Sequence, residues 1–327
     1  MCEAQTKMKL VVTIPCLNEE KVLGETLRDI PKRIDGIDEV DVVVVDDGST
    51  DRTAETARAG GVKHIVSFTA NQGLARAFGA GVDEALRLGA DIIVNTDADH
   101  QYRGEDIGAL VRPILEGRAE IVIGDRGTAS IEDFSWVKRR LQGLGSWAVR
   151  RLSGTDVPDA TSGFRAYSRR AALRLNIVSP FSYTLETIIQ AGKKGIATTH
   201  VPVRTNPRTR ESRLSRSTWE FVKRQSATIL RMYVMYEPLK TFAYLSAAPF
   251  VVATALGVRF LWYYFTVGAP GKVQSLIAMA VLFTLSFLLM VLGILADLIH
   301  GSRLLVEDAL YRTRALELRD ERQRPKV

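Results

Sequence analysis

The chain has 327 residues, with 44 lysines and arginines against 37 aspartates and glutamates and only two cysteines, Cys2 and Cys16. That length suffices for one large or two small domains, and the cysteines are too few for a disulfide framework or a cysteine zinc site. The net charge of +7 suits an anionic partner, but nine basic residues against three acidic ones lie between Arg204 and Lys240, just before an apolar stretch, which favours lipid headgroups over nucleic acid.

In chain order, Leu10 to Pro15 predicts a first strand, and Cys16 to Glu20 a loop opening a helix that ends near Pro31. No Gly-x-Gly-x-x-Gly follows that strand, which argues against a dinucleotide cofactor. Val42 to Val45 predicts a second strand running into Asp46-Asp47-Gly48-Ser49-Thr50-Asp51. Gly48 allows a tight turn and Ser49, Thr50 or Asp51 can cap the next helix. Asp46 and Asp47, adjacent carboxylates at a strand end, suit hydrogen bonds to a base or ribose. His64 to Phe68 is a third strand. Asn71-Gln72-Gly73 then opens a helix carrying Ala75, Ala77, Gly79, Ala80 and Gly81, small residues that let it lie close either to the sheet or to a diphosphate at its N-terminus.

The centre of the chain is Ile92-Ile93-Val94, apolar without alternation as in a parallel strand buried on both faces, followed by Asn95-Thr96-Asp97-Ala98-Asp99-His100-Gln101. Ligands of such sheets sit beyond the carboxyl ends of the strands. Asp97 and Asp99 can converge there on a hard divalent cation, leaving positions free for phosphate oxygens, and Gln101 can add a carbonyl. An Asp-x-Asp triplet alone serves equally as a turn or helix cap. Glu105 to Glu116 predicts a helix and Glu120 to Gly124 a fifth strand ending at Asp125-Arg126. This alternation implies a mostly parallel α/β sheet.

Trp136 to Leu152 has a helical pattern with Lys138, Arg139, Arg140, Arg150 and Arg151. Asp159 to Arg165 has turn chemistry, expected to precede another helix. Phe181 to Gln190 places Glu186 in an otherwise apolar helix, Ile196 to Val203 predicts a strand, and Asn206 to Arg213 a basic loop. Ser215 to Tyr236 is expected to form one or two amphipathic helices in the headgroup plane. Thr241 to Val258 and Val273 to Ala296 run 18 and 24 residues without a charge. At ~1.5 Å per residue both can span a hydrocarbon core of ~30 Å. The distribution of lysine and arginine around them predicts cytoplasmic termini. The expected organisation is a catalytic domain over 1–212, juxtamembrane helices over 213–238, two transmembrane helices over 239–300 and a basic cytoplasmic tail over 301–327.

Six motifs in order, Ile14-Pro15-Cys16-Leu17-Asn18-Glu19-Glu20, Val45-Asp46-Asp47-Gly48-Ser49-Thr50-Asp51, Asn71-Gln72-Gly73, Asp97-Ala98-Asp99-His100-Gln101, Gly124-Asp125-Arg126 and Thr161-Ser162-Gly163-Phe164-Arg165, resemble those of family 2 glycosyltransferases with the GT-A fold. Within that family the chain is similar to the polyprenyl-phosphate glycosyltransferases, over about residues 9 to 213. The resemblance implies a UDP- or GDP-sugar donor, with Pro15, Asn18, Glu19, Asp46 and Asp47 around the nucleoside side and Asn71, Gly73 and Ala98 completing the donor site. It implies Mg²⁺ or Mn²⁺ on Asp97, Asp99 and Gln101, acceptor-phosphate contacts from Arg126 and from Arg139 or Arg140, and Arg208 and Arg213 in a loop over the donor. It further implies inversion at the sugar carbon, a polyprenyl-phosphate acceptor in the membrane, a possible homo-oligomer, and a flippase or lipid-sugar-using transferase downstream.

A lipid monophosphate is already a competent oxygen nucleophile at neutral pH, so positioning and charge neutralisation matter more than a strong base. A hydroxyl acceptor, such as a diacylglycerol or a lipid-linked saccharide, needs a base, for which Asp159 is the candidate. A non-catalytic alternative is a membrane-tethered sugar-nucleotide sensor. There is no Gln-x-x-Arg-Trp motif of the processive synthases, which argues against chain elongation.

Overall fold

The computed structural model describes residues 7–127, 149–178, 183–207, 218–268 and 273–323. The first half of the chain alternates β1 (Lys9–Cys16), α1 (Leu23–Asp29), β2 (Glu39–Asp46), α2 (Thr53–Ala59), β3 (His64–Ser67), α3 (Leu74–Arg87), β4 (Ile92–Asn95), α4 (Ile107–Leu115) and β5 (Ile121–Asp125). After these come β6 (Arg165–Ser168), α5 (Arg169–Arg174), α6 (Tyr183–Lys193) and β7 (Thr198–Pro202). The strands form a seven-stranded sheet in the order β3-β2-β1-β4-β6-β5-β7. The pairs β1·β2, β1·β4, β2·β3 and β5·β7 are parallel.

The apolar runs seen in the sequence form the middle of this sheet. Leu10, Val12 and Ile14 of β1 pack with Val44, Ile92, Val94, Leu110, Val122 and Ala166 in one buried cluster. On the opposite face, α3 buries Ala75, Ala77, Phe78, Gly81, Val82 and Ala85. A Cβ on Gly81 would lie 3.2 Å from Val45 Cγ2 and 3.3 Å from Thr13 Cβ. Of the two uses considered for the small residues of this helix, Gly81 serves close packing on the sheet.

The stretch expected to be a turn leading to a helix, Asp159 to Arg165, leads instead into β6. This strand is antiparallel to both β4 and β5, pairing Asn95 with Arg165 and Ile123 with Arg165. Arg165-Ala166-Tyr167-Ser168 carries no apolar run, and its strand identity comes from neighbours far away in sequence. Because β6 runs backwards, its start meets the carboxyl end of β4. The 159–164 loop is thereby delivered to the place where Asp97 emerges.

After β7 come α7 (Thr218–Tyr236), α8 (Pro238–Val267) and α9 (Val273–Gln323). Residues 230–309 form a compact unit of their own. It contains two helices long and apolar enough to cross a membrane, Pro238–Thr266 and the start of the longer Val273–Arg319. The stretch expected as a tail from residue 301 is helical as far as Gln323, in one helix of 51 residues. Polarity rises after Ala296, but no proline interrupts the chain before Pro325, and polar residues alone do not end a helix.

Candidate active site

Three parallel strand ends and one loop build the crevice. At the end of β1, Asn18 adopts φ 57°, a left-handed conformation uncommon for a residue with a side chain. It is held there from both sides: its amide donates to Ser49 Oγ at 2.9 Å, and its Oδ1 accepts from the Thr50 amide at 2.8 Å. Pro15 is buried within β1, and Glu19 is 7% exposed with its amide donating to Thr53 Oγ1.

At the end of β2, Asp46 accepts from the Ser49 amide at 2.9 Å. Asp47 accepts from the Gln72 and Gly73 amides at 2.7 and 2.9 Å. Its carboxylate therefore ties the loop before α3 to the sheet, and Asn71 beside that tie is exposed. Gly48 between them has φ +71°, and a Cβ there would lie 2.5 Å from the Ala70 carbonyl carbon. Only glycine fits that turn. Asp51 accepts from the Thr53 and Glu20 amides.

At the end of β4, Asp97 and Asp99 are both half-buried. Burial first, and then the charge of Asp99, push the Asp97 carboxyl up to about 7, against the lowering influence of Arg126 and Arg165. The Ala98 carbonyl accepts from Thr26 Oγ1 of α1 at 3.0 Å, and Asp99 accepts from the Gln101 amide at 3.2 Å. His100, also left-handed at φ 55°, lies between Glu25 and Asp29 of α1 at 3.8 and 3.6 Å. From the other side, Asn206 donates to the His100 carbonyl at 3.0 Å and, through its amide, to the Gln101 carbonyl at 2.8 Å. The loop carrying Asp99 is thus braced between α1 and the segment leaving β7.

The fourth wall is the 159–164 loop. Asp159, 1% exposed, receives Arg126 in a two-pronged grip, Nε to Oδ2 at 2.7 Å and Nη2 to Oδ1 at 3.0 Å. Arg126 Nη2 also donates to Thr161 Oγ1 at 2.9 Å. Burial alone would raise the Asp159 carboxyl, but the Arg126 guanidinium holds it below the usual carboxylate range. A carboxylate so occupied is poorly suited to accept a proton as a base. Arg165, fully buried, donates to the carbonyls of Ser162, Thr184 and Ala160 at 2.7, 2.7 and 2.9 Å and to Thr187 Oγ1 at 2.7 Å, fixing the loop from beneath.

Asn95, Tyr102, Arg165 and Tyr183 also build the site, though no local sequence signal marks them for it. Tyr102 accepts from the Gly163 amide at 3.2 Å and stacks on Phe164 with centroids 4.9 Å apart. Arg165 closes one of the six motifs and Tyr102 directly follows another, but their burial depends on neighbours distant in sequence. Glu186, unusual in an apolar helix, is fully buried and accepts from the Val178 amide and Gln190 Nε2. Arg139, Arg140, Arg208 and Arg213 lie outside the described residues.

Asp97 and Asp99 could hold a cation. Their donors are hard oxygens, and their mutual repulsion is relieved by positive charge.

The model of glycosyl transferase family 2 matches residues 11–175, half of the chain. The chain belongs to that family. A protein of unstated function from Methanocaldococcus jannaschii is 35% identical over 211 residues, 61% of this chain and 82% of its own length. A dolichyl-phosphate hexose transferase from Haloferax volcanii is 32% identical over 63% of this chain and 86% of its own. Among solved structures, glucosyl-3-phosphoglycerate synthase from Mycobacterium tuberculosis superposes with a TM-score of 0.53 at 20% identity, covering 69% of this chain and 78% of that one. At that identity the match speaks for the fold, and the seven-stranded sheet of this glycosyltransferase is of the GT-A type.

Proposed function

We propose that this family 2 glycosyltransferase moves a sugar from a nucleotide-sugar to a polyprenyl phosphate at the cytoplasmic face of a membrane, with inversion at the sugar carbon. The observation that carries the reading is the pairing, on one crevice, of the Asp97–Asp99 carboxylates with the buried Arg126–Asp159 grip, in a chain that also has two helices able to span a bilayer. The printed name of the Haloferax volcanii relative supports a lipid-phosphate acceptor. The Mycobacterium tuberculosis structure contains Mn²⁺ and UDP, which supports a divalent cation and a nucleoside diphosphate on this fold.

In this reading Asn18, Glu19, Asp46 and Asp47 shape the nucleoside side, and Asp47 additionally keeps the start of α3 in place. Pro15, Asn71, Gly73 and Ala98 line the same donor side, and Gln101 supports Asp99 through its backbone. Asp97 and Asp99 hold Mg²⁺ or Mn²⁺, which neutralises the departing diphosphate when bound. Arg126 is fixed by Asp159 at the rim of the same crevice, where a guanidinium adds positive charge for an incoming phosphate. Such an acceptor already carries its nucleophilic oxygen ionised, so the residues orient it rather than deprotonate it. An α-linked donor then yields a β-linked lipid product. The catalytic domain and both termini face the cytoplasm.

A hydroxyl acceptor with Asp159 as base fits less well, since both oxygens of Asp159 are engaged and its carboxyl is held low. The test is to incubate purified full-length protein in detergent with UDP- and GDP-sugars, a divalent cation and short polyprenyl phosphates, and to read the anomeric configuration of any product by NMR. Transfer to diacylglycerol but to no lipid phosphate overturns the proposal, and nucleotide binding without turnover leaves the sensor reading.

A further inference from the structure

The Asp97 carboxylate occupies the space a side chain at position 163 would need, and that residue is glycine. A Cβ built on Gly163 would lie 2.8 Å from Asp97 Oδ1, 3.0 Å from Oδ2 and 3.1 Å from the Tyr183 hydroxyl. All three distances are closer than ordinary van der Waals contact. Any side chain at position 163 would displace the Asp97 carboxylate, so the room that carboxylate has depends on where the Gly163 backbone is held.

That backbone is held by a buried polar network from three distant parts of the chain. Asn95, the last residue of β4, donates from Nδ2 to the Gly163 carbonyl at 2.9 Å and to the Tyr183 hydroxyl at 2.8 Å. The Tyr183 hydroxyl donates to the same carbonyl at 3.3 Å. Thr13 of β1 donates to Asn95 Oδ1 at 3.2 Å and so fixes the orientation of the carboxamide. Tyr102 receives the Gly163 amide. Asn95 and Tyr183 are fully buried, and burial, followed by the charge of Asp97, pushes the Tyr183 phenol well above its usual value, so it stays a neutral donor. The ring of Tyr183 lies parallel to Phe78 of α3 with centroids 3.9 Å apart. Through Phe78 the network reaches the helix whose start Asp47 secures.

The geometry points to Tyr183 as a positioning residue for the metal-binding carboxylate: its hydroxyl, with Asn95, sets the Gly163 backbone as the wall against which Asp97 is oriented toward a divalent cation. This deepens the proposed function and rests on Asp97 being a metal ligand. Groups that orient metal ligands from behind are worth about 10- to 100-fold in metal affinity when removed. Tyr183 acts one step further back, through Gly163, and belongs at the lower end.

The deciding experiment uses full-length protein and follows free Mn²⁺ by electron paramagnetic resonance, in the presence of UDP and separately of GDP, together with melting in chelator. Tyr183→Phe keeps the stack on Phe78 and removes only the hydroxyl. We expect Mn²⁺ affinity to fall about 10-fold while the melting temperature in chelator stays within a few degrees, and excess Mn²⁺ to restore kcat. Gly163→Ala, which intrudes on Asp97 directly, is expected to lose at least as much. Should Tyr183→Phe fail to fold, Thr13→Val loosens the same network from β1 and decides by the same readout. Unchanged Mn²⁺ affinity in a folded variant, with or without a lower melting temperature, overturns the positioning role alone. Wild-type protein that binds no Mn²⁺ under either nucleotide overturns the metal reading and this proposal with it.

Discussion

The sheet domain and the 230–309 unit solve opposite burial problems. In the sheet domain the largest fully buried side chain is an arginine, Arg165, and Glu186 and Asp159 are buried with it, each held by hydrogen bonds. The 230–309 unit turns large apolar groups outward, with Phe265 79%, Leu305 75% and Trp262 69% exposed. Buried charge is tolerated only where geometry supplies partners, and wide apolar exposure marks a surface that a partner or a membrane covers. The contrast teaches that one region tolerates buried charge by supplying partners, while the other carries two helices long and apolar enough to cross a membrane.

The largest expected effect lies in the crevice. Asp99→Asn should reduce transfer by at least about 1000-fold, on the order of 4 kcal/mol in barrier, while membrane fractionation and the melting profile stay near wild type. Measurable turnover within tenfold of wild type would remove Asp99 from the metal site. The next test strikes the other region. Leu285, 46% exposed in the apolar part of α9, should resist charge: Leu285→Asp costs about 3–4 kcal/mol if the helix crosses a bilayer and should shift protein from the membrane fraction to aggregates. Greater solubility of that variant would mean that the helix faces water.

Arg165→Met probes the buried charge itself. It removes the donor to the Ser162 and Ala160 carbonyls, while the Thr184 carbonyl keeps the Thr187 hydroxyl, so at about 1–3 kcal/mol for each group that stays dry a loss of at least about 2 kcal/mol is expected in the sheet domain. Melting followed by near-ultraviolet circular dichroism of the buried tyrosines reads it, and an unchanged transition would mean that the site collapses around methionine without cost. A smaller change comes from Arg126→Lys. Lysine cannot reproduce the two-pronged contact with Asp159, so KM for the lipid phosphate should rise about tenfold with nucleotide affinity nearly constant. Equal losses on both sides would break the division between donor and acceptor.

Legibility from sequence divides along the same line as the physics. The unbroken apolar runs of β1, β2 and β4 and both candidate spans are local signals: β1 and β4 lie within a residue of their runs, β2 begins three residues before Val42, and the spans fall inside helices that run on to Val267 and Gln323. β6 was not legible: four residues with an arginine and a serine become a strand only because β4 and β5 flank them. Arg126 and Asp159 each stand out in the sequence, but their pairing does not, because it joins residues 33 positions apart; Asn95 and Tyr183, 88 positions apart, carry no local signal at all. Asp47 carried a visible signal, but its tie to the amides before α3 depends on a turn that only the folded Gly48 conformation reveals.

The mildest test is a titration. In the folded protein without metal, burial and the neighbouring Asp99 raise Asp97 to about 7, whereas an aspartate in the unfolded chain titrates near 4. Between those values the unfolded state gives up its proton first, so this group favours folding most at low pH, and that contribution declines as pH rises to about 7 and then levels. The melting temperature of wild type relative to Asp97→Asn, measured in chelator, should therefore fall from pH 5 to pH 7. Metal reverses the sign. A cation competes with the proton for the same carboxylate, so Mn²⁺ affinity should be flat above about pH 7 and fall by up to tenfold per unit below it. If affinity in that range does not depend on pH while Asp97→Asn abolishes it, the carboxyl is already ionised in the free protein, and Arg126 and Arg165 outweigh burial and Asp99 at this position.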